Sequence, residues 1–144
     1  MNRRQVLGGA LAVALGTRVQ AQTDKKVKIV ELEQLKELWD KHAFVYQGED
    51  CVLLRVPAPS KPTPRVVEHQ KMFYSAYSRI CTHSGCALEL PNGLRQLECG
   101  CHGSIFAAAD GTAEFGPASK PLRGIKLEIA DGNVYALGWL EHEQ

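Results

Sequence analysis

Four of the five cysteines in this 144-residue chain fall within 21 residues, and two of its five histidines stand among them. They form two boxes, Cys81-Thr-His-Ser-Gly-Cys86 and Cys99-Gly-Cys-His-Gly-Ser104, each with two cysteines and one histidine. Thiolate and imidazole are the ligands that thiophilic metals prefer, and paired cysteines also form disulfides. Such a group therefore calls for metal, disulfide, or both. Structural zinc needs four ligands and usually pairs C-x-x-C with C-x-x-C or H-x-x-H. Six candidate ligands are two too many for it, and the mixed C-x-H and C-x-x-H spacing is unusual. A module held by disulfides alone is the other competing reading. Cys51 stands apart in the apolar run Cys51-Val-Leu-Leu-Arg-Val56 and reads as a small buried residue.

Cys81-x-His83, fifteen intervening residues, and Cys99-x-x-His102 resemble the Rieske iron–sulfur family. In that class one iron of a [2Fe–2S] cluster takes two thiolates and the other takes two imidazoles. The resemblance implies one cluster per chain, with Cys81 and Cys99 on one iron and His83 and His102 on the other. It also implies that Cys86 and Cys101 form the disulfide that braces the two loops in the electron-transfer branch and that Rieske oxygenases lack. Ser104 occupies the place of the family's serine, whose hydroxyl donates to a cluster sulfur and raises the potential. Gly116-Pro-Ala118 matches the loop that covers the cluster from a third side.

Three positions depart from the respiratory pattern. Ser84 stands where a leucine of the quinol-docking surface is common, Gly100 where a proline is common, and Phe106 where a tyrosine usually donates to a cysteine ligand. Rieske potentials run from about −150 to +300 mV. Ser104 and the disulfide push upward and Phe106 pulls back, so an intermediate positive midpoint is expected.

These boxes need a scaffold. Val27-Lys-Ile-Val30 alternates as a strand, and Leu32 to Trp39 carries apolar residues at a spacing that suits one or two helical turns. Residues 43–46 and 51–56 are strand-like, divided by the turn signal Gln47-Gly-Glu-Asp50. Four prolines between Pro57 and Pro64 make a loop. Residues 72–80 form a further strand candidate. After the Gly-, Cys- and His-rich stretch 81–119, Asp131-Gly132 joins the runs 124–130 and 133–139 into a hairpin. The pattern is all-β. The resemblance makes it an antiparallel β-sandwich with a small loop-built cluster-binding insert at about 81–119.

The N-terminus reads as an address. Arg3-Arg4 precedes an apolar stretch, Val6 to Gly16, and the small-residue site Val19-Gln-Ala21. That order is a signal peptide over residues 1–21, and the paired arginines resemble a twin-arginine (Tat) signal. Eleven apolar residues span only about 16 Å of a hydrocarbon core about 30 Å thick, which disfavours a membrane anchor. Cleavage near Ala21 leaves a domain of residues 22–144 and removes three arginines and no acid, so the formal charge falls from +1 to −2.

With 17 basic and 16 acidic residues, nothing suggests a nucleic-acid partner. No catalytic residue is evident outside the boxes. The expected function is one-electron transfer as a soluble periplasmic subunit of a larger oxidoreductase, like the small Rieske subunit of arsenite oxidase, with cytochrome c as a further partner. The alternative is the Rieske subunit of a cytochrome bc-type complex that oxidises quinol.

Overall fold

In the computed structural model, the chain is described over residues 25–141. The signal-peptide reading lies outside these residues. Ten strands occur among them: β1 (Val27–Glu31), β2 (Lys41–Tyr46), β3 (Glu49–Val56), β4 (Val67–His69), β5 (Met72–Ser78), β6 (Gln96–Glu98), β7 (Ile105–Ala107), β8 (Ala113–Phe115), β9 (Ile125–Ala130) and β10 (Asn133–Trp139). They form three antiparallel sheets, ordered β1-β10-β9, β2-β3-β5-β4 and β6-β7-β8. The antiparallel β-sandwich expected of the chain is present. No helix among the described residues is long and apolar enough to cross a membrane.

Local sequence accounts for the hairpins. Gln47 and Gly48 both take positive φ, as do Asp131 and Gly132, which matches the right-handed twist of paired strands. The helical turns expected from Leu32 to Trp39 shrink to one 3-10 turn, Leu32–Gln34. Leu35 is already buried there, and Trp39, at positive φ, sends its N–H to the Arg55 carbonyl (2.8 Å). Tertiary contacts on one side and strand pairing on the other cut the helix short.

β3 is the centre of the molecule. Cys51 and Leu53 face a core shared with Tyr74, Ala76, Ile125, Leu127, Val134 and Ala136, between the first two sheets. Val52, Leu54 and Val56 face a second core with Tyr77, Leu88, Leu97, Phe106 and Leu122, beneath the cysteine boxes. A strand buried on both faces explains an apolar run without alternation. The insert is not built of loops alone: β6, β7 and β8 give it a sheet of its own, and Leu97 and Phe106 pair across β6 and β7 with both side chains buried.

Candidate metal centre

The two boxes fold into the same loop. In the first, Cys81 N–H donates to the Cys86 carbonyl (2.8 Å) and Gly85 N–H to the Cys81 carbonyl (2.9 Å). In the second, Cys99 N–H donates to the Ser104 carbonyl (2.8 Å) and Gly103 N–H to the Cys99 carbonyl (3.0 Å). The fifth residue of each loop sits at positive φ, 78° and 73°, and is glycine in both. Short ladders present these loops, Ile80 bridging Ala87 under the first and β6–β7 under the second.

The arrangement sorts the candidate ligands by depth. Cys81 and Cys99 are free thiols, each 2% exposed, whereas His83 and His102 are solvent-exposed. The imidazole rings stand edge to face with centroids 4.8 Å apart. Burial works against an anion at Cys99. The backbone N–H of Cys101, the Cys81 side chain and the backbone N–H of His102 outweigh it and hold its pKa below the ordinary thiol range.

Cys86 and Cys101 form a disulfide with Sγ atoms 2.02 Å apart, tying one loop to the other. The Cys99 sulfur lies within 4.8 Å of both bridge sulfurs. Because the bridge occupies two members of that sulfur trio, a metal is left with Cys99 and Cys81. Cys51 is free and buried, donating weakly to the Glu49 carbonyl (3.4 Å). Burial, reinforced by Glu49, pushes its pKa up to about 12. His42 and His69, outside the boxes, are half-buried on β2 and β4.

The loop 116–118 closes the third side. Ser104 is fully buried, and its Oγ accepts from Ala118 N–H (3.1 Å). Gly116 approaches the second box so closely that a Cβ there would meet Ser104 Cα at 2.8 Å and the Gly103 carbonyl at 2.9 Å. Thr82, which the sequence did not single out, donates its hydroxyl to the Lys120 carbonyl (2.7 Å) and ties the first box to the same segment. A hollow lined by Leu32, Leu35, Met72 and Tyr74 on the basal side holds none of the box residues. The two imidazoles lie at the exposed end of the box loops.

The donor set fits a mixed thiolate–imidazole cluster. Two thiols are buried, two imidazoles lie outward, and the buried Ser104 hydroxyl has no acceptor for its proton among the described residues, where a sulfide acceptor would satisfy it.

The family profile of the Rieske [2Fe-2S] domain matches residues 25–126. The chain belongs to the Rieske family. The domain binds a [2Fe–2S] cluster and transfers electrons. This Rieske protein is 42% identical to the cytochrome b6-f complex iron-sulfur subunit of Gloeobacter violaceus, over 99% of this chain and 86% of that relative. It is 36% identical to the cytochrome bc1 complex Rieske iron-sulfur subunit of Streptomyces lividans over 62% of this chain and 55% of that one. Among solved structures, the soluble domain of Rieske protein II of Sulfolobus acidocaldarius superposes with a TM-score of 0.60, at 24% identity over 79% of this chain and 77% of that one, a likeness of fold.

The family's departures have local consequences. Ser84 is exposed, its Oγ 3.3 Å from His102 Nδ1 and 3.7 Å from Cys86 Sγ, so a hydroxyl replaces an apolar side chain at the tip. Phe106 is buried with no hydroxyl to offer a ligand sulfur. Gly100 is exposed.

Proposed function

We propose that this chain is the Rieske subunit of a cytochrome bc- or b6f-type complex, accepting single electrons from quinol and passing them to a cytochrome. Its likeness over nearly its whole length to a b6f iron-sulfur subunit carries this reading. Cys81 and Cys99 would hold the inner iron, and His83 and His102 the outer one. When bound, the cluster supplies a one-electron couple. The protein's own groups set the conditions. The inner thiols exclude water, the bridge Cys86–Cys101 fixes the distance between loops, and Ser104 keeps a hydroxyl proton free to donate. The exposed imidazoles bring the redox centre to the surface, where electrons enter and leave. The N-terminal residues support export of the folded protein to the periplasm by the Tat route, with the signal removed near Ala21.

Ser84 favours a second reading, a soluble subunit of a larger periplasmic oxidoreductase such as arsenite oxidase, because quinol docking ordinarily uses an apolar residue there. Purification from the native host distinguishes the two. Co-purification with a cytochrome b, and quinol oxidation that depends on this subunit, are expected. Isolation with a soluble oxidoreductase and no cytochrome b overturns the first reading. In either case the protein should contain about two irons and two labile sulfides per chain, the stoichiometry of a [2Fe–2S] cluster. Stoichiometric zinc without sulfide overturns the ligand set.

A further inference from the structure

Arg79 stands at the foot of the first cysteine loop. Its carbonyl accepts from Leu88 N–H (2.7 Å), Ile80 bridges Ala87, and Cys81 N–H donates to the Cys86 carbonyl (2.8 Å). Residues 79–81 and 86–88 are thus a short antiparallel ladder. Alternation places Arg79, Cys81, Cys86 and Leu88 on one of its faces. Two residues along one strand set Arg79 and Cys81 about 7 Å apart. Leu88 and Cys81 are buried in the same core as Cys99.

The Arg79 guanidinium is anchored there with no counter-ion among the described residues. Its Nη1 donates to the Leu88 carbonyl (2.7 Å), while its Nε is buried and has no acceptor. No ion pair among the described residues includes it. Glu49 is engaged with Arg123 (3.5 Å), and Asp50 meets Arg79 only through its carbonyl, which accepts the Arg79 N–H (2.7 Å). A buried donor and a charge left without partners are costly unless negative charge lies near.

We propose that Arg79 is an electrostatic positioning residue for the cluster, its fixed charge at the foot of the Cys81 loop favouring the reduced state. Uptake of one electron adds one negative charge to the centre, and a guanidinium keeps its positive charge at any pH the protein meets. Arg79 therefore raises the midpoint and offsets part of what Phe106 forgoes. The inference rests on the ligand set proposed above.

Voltammetry of loaded protein tests it, the electrode supplying the electron. Arg79→Gln should lower the midpoint with iron and sulfide content unchanged, and Arg79→Lys should restore most of the shift. An unchanged midpoint in Arg79→Gln overturns the proposal, as does Arg79→Lys falling as far as Arg79→Gln, which would assign the effect to the Leu88 contact rather than to charge. Should Arg79→Gln fail to load, Arg79→Met provides a second arm, since it keeps an apolar stem of similar length without the charge: it should lower the midpoint, and an unchanged midpoint overturns the proposal. Failure of the ligand set is distinguishable, because it appears as missing iron and sulfide in the wild type.

Discussion

β3 divides the molecule into halves held by different forces. On one face, Cys51 and Leu53 pack with strands from two sheets, and area removed from water, about 25 cal/mol per Å2, is the main stabilising term. On the other face, the strands of the insert are three residues each, and backbone hydrogen bonds, two glycines at positive φ, one disulfide and the cluster ligands must supply what strand length does not. The tip has few redundant contacts, so a single sulfur or Cβ decides whether its loops keep their places.

The sharpest break between the halves is Cys99→Ala. Iron and labile sulfide should fall to background by metal analysis, while far-ultraviolet circular dichroism keeps the β-signal of the basal sheets. Collapse of both together would show that the halves fold as one unit. Cys86→Ser comes next, with an expected loss of roughly 2–5 kcal/mol, the usual range for a native bridge in a small domain. Its cluster absorbance should bleach at lower denaturant than basal unfolding begins. Leu53→Ala is the mirror experiment. It should cost about 2–5 kcal/mol by large-to-small truncation in a core, lowering Tm while leaving the midpoint of the loaded protein unchanged.

Smaller effects sharpen the same contrast. Ser104→Ala removes the buried donor beside the cluster and should lower the midpoint, and Phe106→Tyr should raise it if its hydroxyl reaches Cys99 or Cys81; voltammetry reads both. In the basal core, Cys51 is raised to about 12 by burial and by Glu49, and in the core beneath the boxes burial also raises Tyr77, whose hydroxyl donates to the Ala108 carbonyl (2.6 Å). Both groups are bound to their protons more tightly folded than unfolded. Their stabilisation is complete below the unfolded values of about 9 and 10 and fades as pH rises toward the folded ones. Denaturant midpoints should therefore fall between pH 9 and 11, and less steeply in Cys51→Ala.

The alternation of residues 27–30, the turns at 47–50 and 131–132 and the glycines of both boxes are local signals, and the structure has the corresponding strands and hairpins. The six boxed cysteines and histidines were also legible, because ligand type and spacing are properties of the chain itself. The pairing of β1 with β10 was not, nor were the short strands β4, β6, β7 and β8. Three residues carry too little periodicity to be seen, and long-range pairing depends on which faces remain uncovered after the hairpins form. The sequence determined the chemistry of the tip: two thiols, two imidazoles, a bridge and a serine. Only the tertiary structure decided that the thiols are buried and the imidazoles exposed, that Gly116 must be small because Ser104 lies against it, and that Arg79 has no counter-ion among the described residues, since depth and neighbourhood are settled by packing between segments far apart in the chain.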